Sequence, residues 1–338
     1  TGSFFQREKY NKFLHMIVVN HGLCVCHSNQ FIFQSLPRML TMWFDFTASE
    51  SKESIAATPV GQDKAGLSDK QLTDEQKCGR AMSQFCLGKF AAYQVWIALP
   101  QIISRLCHPN PHTFHFIKEI ISNVFDAYPR QALWALAGVI NTDDANKKRR
   151  SSELMAFVKG KMKQPHEDIA LRGEQLFRKL IEICELVIKD PKPTGGIAGN
   201  KGKSARPNRI TSIFISQRFK DLLSLVPNAL IVPVQSALTV TLPLLTANTA
   251  ASGSDAAGFM PFPDPMVTIN SFKDEIVVLQ SKEKPRKLGV IGSDGKEYWF
   301  LCKLEARGDM RKNSRMVEVW HDYCFQLSVF VAHKMSRG

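Results

Sequence analysis

Near the C-terminal end of the 338-residue chain, the run EYWFLCK closes on Lys303. In a strand, alternate side chains point to opposite faces, so Tyr298, Phe300 and Cys302 share one face and Trp299, Leu301 and Lys303 the other. A lysine at the end of an otherwise apolar face is costly to desolvate without an anion. It either reaches water where the strand ends, the usual fate of such a lysine, or it meets a phosphate. The preceding segment, EIVVLQ-SKEKPRK-LGVIG, reads as strand, basic loop, strand. Its loop contains no glycine. It offers Ser281, Lys282, Lys284, Arg286 and Lys287, which meet phosphate by hydroxyl and charge, with Pro285 to stiffen it.

Two other stretches invite chemistry and then fail on spacing. Cys24-Val-Cys26-His27 resembles half a metal site, but no second Cys/His pair follows at zinc-ligand spacing, so no metal site is expected. The eight cysteines are scattered through apolar periodic stretches and read as reduced intracellular thiols filling the core. GNKGKS resembles a phosphate loop, but that loop needs Gly where Ile197 stands, and no strand precedes it. A flexible basic linker is the reading there.

The elements that must position these residues fall into two kinds. The first half is helical. Phe31 to Phe46 is apolar on nearly every turn, broken at Pro37, and a Ser/Ala/Gly-rich surface loop follows over 47–66. Thr73-Asp-Glu-Gln76 fits a capping box opening a helical pattern that runs to Pro100 and on to His108. Phe114, Ile117, Ile120, Ile121 and Phe125 form one stripe, and Pro129 opens the next helix. Two more helical patterns cover 150–163 and 166–189. Short antiparallel pairs of this kind stack as an α-solenoid of helical hairpins with degenerate repeats. The basic linker 190–209 interrupts the pattern, and a helix is expected near 211–226. From Met266 the period changes, and VTINSF, EIVVLQ, KLGVIG and EYWFLCK read as strands, the last two joined by a turn at Ser293-Asp294-Gly295.

The composition is 44% apolar and 22% charged, ordinary for a globular chain, and no run approaches a membrane span. There is no signal-peptide layout, and the chain reads as an excised piece. The net charge of +13 gathers in KKRR (147–150), KGKMK (159–163), the 189–209 linker and SKEKPRK. Solvated connectors and helix-end charges account for most of it. Direct nucleic-acid binding through the linker remains an alternative.

The run LQSKEKPRKLGVIGSDGKEYWFLCK, followed by DMRKNSRMVE, resembles the small lobe of the phosphatidylinositol 3-kinase-related protein kinases. FQSLPRMLTMWFDF, LPQIISRLCHPN, IKEIISNVFDAYPRQALWALAGV and PVQSALTVTLP, in that order, resemble the FAT region of the ATR-type branch. The likeness is spread over about residues 31–318. It implies a mainly α, overall α+β architecture: a FAT-like helical region over 1–189, a linker and lead-in over 190–265, part of a kinase small lobe over 266–318 and an atypical tail over 319–338, in which Phe325, Leu327, Val329 and Val331 alternate like a strand.

The resemblance also implies roles. Lys303 is the lysine that binds ATP phosphates, Ser281 sits in the phosphate-facing loop, and Leu279, Pro285 and Leu301 line the nucleotide pocket. The family places Asp-Asp-Leu-Arg-Lys-Asp two residues after its lysine. Here Asp309 comes two residues late and Asn313 replaces the last aspartate, so Asp309 or Glu305 is the expected partner of Lys303. No catalytic residue and no metal ligand is expected, because the family's Asp-Arg-His-x-x-Asn loop and Asp-Phe-Asp or Asp-Phe-Gly segment do not occur in the sequence. Of the intact family member the resemblance implies ATP and Mg2+ use, Ser/Thr phosphorylation in the nuclear DNA-damage checkpoint, protein substrates and an ATRIP-like regulatory subunit. It further implies indirect contact with DNA and a possible homodimer through the helices. The chain alone is expected to be inert. A non-catalytic helical scaffold is the competing reading.

Overall fold

The computed structural model describes residues 2–50, 74–140, 144–162, 166–188, 210–243, 259–262, 265–281, 284–305 and 327–333. The side chains of 2–12, 49–50, 74–75, 235, 303–305 and 327–333 are outside the described set. So are the expected Thr73 cap, the 189–209 linker, Asp309 and most of the tail. The chain divides into two compact units. One holds 1–140, 145–167 and 236–264, and the other holds 141–144, 168–235 and 265–338.

The first unit is helical. Helices α1 (Gly2–His27) and α2 (Ile32–Glu50) pack on each other, and α1 also packs on α3 (Asp74–Ser83). The α2 helix runs unbroken through Pro37, against the expected break. The helix begins only five residues earlier, so proline removes one early hydrogen bond, that to the Phe33 carbonyl. The Pro37 carbonyl is in turn used by Thr41 Oγ1 at 2.9 Å and Gln101 Nε2 at 3.0 Å. After α3 the expected single helix to His108 is cut into pieces. A π-turn over Gln84–Lys89 closes with the Phe90 N–H on the Phe85 carbonyl. Ala91 is then extended, its N–H held by Gln94 Oε1 at 3.0 Å, before α4 (Ala92–Ile97) and α5 (Leu99–Ser104). The apolar spacing survives this break, which is why the sequence pattern hid it.

A continuous apolar stripe runs along α6 (Pro111–Ala127). Asn110 caps it by accepting from the N–H groups of His112 and Thr113, and Pro111 stands where a missing N–H costs nothing. Phe114, Ile117, Ile120, Ile121 and Phe125 are all buried, each stabilising by about 1.5–3 kcal/mol. They pack against α7 (Pro129–Ile140) and α8 (Ala145–Lys161). Trp43 and Phe116 meet edge to face at 4.7 Å, linking α2 to α6.

In the second unit, α9 (His166–Glu185, its first two residues in the helical unit) accompanies a mixed sheet. The strands are β1 (Ser212–Phe214), β2 (Asn228–Ile231), β3 (Thr268–Val278), β4 (Arg286–Gly292), β5 (Glu297–Glu305) and β6 (Leu327–His333). The order is β1-β3-β4-β5-β6, with β2 also on β3. All pairs are antiparallel except β5–β6, which is parallel.

Two expectations about this unit are corrected. VTINSF and EIVVLQ are one eleven-residue strand, whose register shifts between Phe272 and Ile276. Lys273, Asp274 and Glu275 at that shift break the apolar pattern and made it look like two strands. The helix expected near 211–226 is β1 followed by single turns at Ile215–Arg218 and Lys220–Leu223. Ile213 pairs with Ile276 of β3 there, so tertiary pairing overrides a helical spacing too short to stand alone. The β4–β5 turn lies where expected, with Gly295 at φ +75°.

Candidate nucleotide-facing site

The β4–β5 register fixes which side chains share a face. Arg286 pairs with Cys302, Lys287 with Leu301, Leu288 with Phe300 and Gly289 with Trp299. Tyr298, Phe300, Cys302, Leu288 and Arg286 are buried. Trp299, Leu301 and Lys287 lie on the other face and are only half-buried. Lys303 follows Leu301 by two along β5, so backbone alternation places it at the open-face register. Its backbone pairs with Val331 of β6. The side chains of Lys303 and Glu305 fall outside the described residues.

On the open face Trp299 is a platform for cations. Lys287 Nζ stands 4.0 Å from its ring centroid and Lys273 Nζ 5.2 Å. Lys273 also binds Glu297 at 2.6 Å. Opposite the ring, Gly289 leaves room for Lys273. A Cβ built there would lie 2.6 Å from the lysine Cδ.

The basic loop joins β3 to β4 at the Lys303 end of the sheet. The Leu279 N–H donates to the Pro285 carbonyl at 2.9 Å, closing the loop's neck. The Lys284 N–H donates to the Ser281 carbonyl at 3.2 Å, and Lys284 takes φ +43°. Leu279 and Ser281 are exposed and Pro285 is half-buried. The loop's cations do not all face one way. Lys287 lies on the open face. Arg286, one residue earlier in the pleat, turns inward and its guanidinium donates to the Leu186 carbonyl just past α9. Lys284 Nζ reaches the Ile188 carbonyl at 3.2 Å. The sequence offered these as equivalent phosphate contacts; alternation along β4 separates Arg286 from Lys287, and Lys284 Nζ is held at a carbonyl near the one Arg286 uses.

Under the sheet, Cys302 and Cys184 of α9 meet beside Arg286. The hydrogen bond to the Cys184 thiol, with burial, raises the Cys302 thiol well above the usual thiol range, while Arg286 pulls it down. Burial lowers the Arg286 guanidinium from its ordinary value, and the two thiols oppose that. These thiols were read in the sequence only as small core residues; their contact joins α9 to β5, and nothing in their spacing announces it.

The described cysteines are free thiols, and among the described residues no group of three His, Cys, Asp or Glu could hold a metal. No described helix is long and apolar enough to cross a membrane.

Residues 81–176 match a family model described as serine/threonine-protein kinase ATR-like, HEAT repeats. The serine/threonine-protein kinase ATR of Arabidopsis thaliana is 29% identical over 299 residues, which cover 86% of this chain and 10% of that protein. The ATR kinase of Oryza sativa subsp. indica is 30% identical over 306 residues, covering 90% of this chain and 10% of that protein. The chain is similar to ATR-like protein kinases over most of its own length. It spans about a tenth of the length of these relatives. A solved structure described as the FAT and kinase domain of CtTel1 superposes with a TM-score of 0.58 at 16% identity, covering 94% of this chain and 18% of that one. At that identity the likeness bears on the fold, a helical array with a small sheet.

Proposed function

We propose that this ATR-like chain supplies the nucleotide-facing part of a kinase small lobe, in a serine/threonine kinase of the DNA-damage checkpoint that uses ATP. Lys303 meets the ATP phosphates, Ser281 and its loop cover them, and Leu279, Pro285 and Leu301 line the nucleotide pocket. Asp309 or Glu305 partners Lys303. The protein that contains the segment phosphorylates proteins on Ser or Thr in the nucleus with Mg2+, works with an ATRIP-like subunit, meets DNA indirectly and dimerises through the helical region. In this reading the segment's own part is to bind and orient the nucleotide.

One observation carries the reading. Along the open face of β5, alternation runs Glu297, Trp299, Leu301, Lys303, so two apolar positions precede the lysine, and the Lys303 end lies beside a loop that carries an exposed serine and no glycine. A flat base suits the apolar part and a phosphate suits the cationic end. The test is titration of the chain with a fluorescent ATP analogue. Lys303→Ala weakens binding by about tenfold or more, the worth of a charge-assisted contact, while leaving the melting temperature in place. Equal affinity of the two proteins removes Lys303 from the site.

A further inference from the structure

We propose that Arg286 is a positioning residue for the phosphate-facing loop, acting through the segment that follows α9; the proposal rests on the nucleotide reading above. The loop is gripped from two sides. On one, the Arg286 guanidinium donates to the Leu186 carbonyl and Lys284 Nζ to the Ile188 carbonyl. On the other, Gln280 Nε2 donates to the Ile210 carbonyl at 3.0 Å, and the Val278 N–H donates to the Thr211 carbonyl at 2.7 Å. Every one of these acceptors is a main-chain carbonyl of a stretch distant in sequence. Among the described residues, the loop's own main-chain closure is three bonds, donated by Leu279, Ser281 and Lys284. Without outside anchors, a loop of this size that must hold Lys284 at φ +43° has little to select one conformation.

Arg286 is the anchor with the most at stake. It is 5% exposed, and its Nε finds no partner among the described residues. Burying a guanidinium that is bonded mainly through one nitrogen is a poor way to gain stability, since an apolar side chain of similar volume often does as well. It is a good way to fix direction. Carbonyls at and past a helix C-terminus carry partial negative charge, and a planar donor fork meets them at a defined angle. Arg286 also pairs in register with Cys302, the neighbour of Lys303. One residue therefore fixes the base of the loop and lies beneath the strand end that presents the lysine. A flap held this way presents Ser281 to phosphate without ordering itself on binding, which spares the cost of immobilising it.

Two variants and two readouts test this. Arg286→Met keeps the bulk and removes the donor; Arg286→Lys keeps charge and a donor. Amide hydrogen exchange in Arg286→Met is faster at Leu279, Ser281 and Lys284 by about tenfold or more, with the amides of Ile276 and Phe300 unchanged. Arg286→Lys recovers most of the protection. In parallel, the fluorescent ATP analogue binds Arg286→Met about tenfold more weakly, whereas adenosine binds it and the unmodified chain alike. Loop exchange unchanged by Arg286→Met overturns the proposal, whatever the nucleotide does. Exchange that rises across the strands as well shows a structural role alone and also overturns it. If loop exchange rises selectively but the unmodified chain binds no analogue, the anchoring stands as a fact of the loop. The nucleotide reading then fails, and the positioning role fails with it.

Discussion

His108 shows how one buried side chain can set the pH response of the helical unit. Its Nε2 lies 2.9 Å from the Phe44 carbonyl, and its Nδ1 lies 3.2 Å from the Asn110 N–H. A carbonyl only accepts and a main-chain N–H only donates, so the ring is neutral with its proton on Nε2. Burial is the main cause that lowers its pKa below the ordinary 6.5. A lowered folded-state value means the unfolded chain binds the proton first. The stability His108 contributes is therefore complete above pH 6.5 and is lost as pH falls from there towards the folded value. His21, lowered mainly by burial, acts with the same sign. Thermal melting followed between pH 7.5 and 5.5 shows a falling midpoint, and His108→Gln flattens that fall while lowering stability at pH 7.5. An unchanged slope in His108→Gln assigns the pH response elsewhere. None of this was legible in LCHPNP, where the helical spacing ends at His108, because the Phe44 carbonyl lies 64 residues away. The open face of β5 was legible at the same scale, since strand alternation is local; the inward turn of Arg286 needed the register with Cys302.

Helices were legible where they carry a long apolar stripe with a local stop, as in α6 between Asn110 and Tyr128. They were not where the interruption keeps the spacing, as at the π-turn over Gln84–Lys89. That turn has a packing correlate. A Cβ on Gly22 of α1 would lie 2.4 Å from ring carbons of Phe85, so the two elements meet at glycine contact. Phe85 is 1% exposed and stacks on Phe90 at 5.7 Å, which leaves its ring no room to yield. Gly22→Ala gains about 1 kcal/mol of helix propensity but loses about 1–3 kcal/mol to overpacking. Overpacking wins, and denaturant unfolding reports a destabilised protein. Gly138 of α7 is the control: it is exposed and a Cβ there meets nothing within 4 Å. Gly138→Ala stabilises by about 0.5–1 kcal/mol. The same sign for both substitutions refutes the close α1–Phe85 contact.

At the scale of the whole molecule, part of the excess positive charge is already paired among the described residues. In the KKRR run, Arg149 and Arg150 both bind Glu153, and Arg150 lies 4.0 Å over the Phe114 ring. Such pairing suits a solvated helix end better than a phosphate track. The chain's bearing on phosphoryl transfer is limited in another way. Transfer requires nucleotide, metal and hydroxyl nucleophile to be held together, and effective molarities of about 10⁵–10⁸ M come from that joint positioning rather than from any one contact. In the proposed reading the segment supplies one wall of such a site, the basic loop and the Trp299–Leu301 part of β5. The Asp-Arg-His-x-x-Asn and Asp-Phe-Asp or Asp-Phe-Gly runs that resemblance associates with base and metal are not among the 338 residues. The purified chain is therefore expected to bind the ATP analogue yet incorporate no phosphate from ATP into a Ser-Gln peptide above a Lys303→Ala control. Radiolabel transfer measured with both proteins at equal concentration decides it. Turnover that depends on Lys303 would mean that the base and the metal ligands lie within this sequence after all, and the division of labour proposed for the segment would fall.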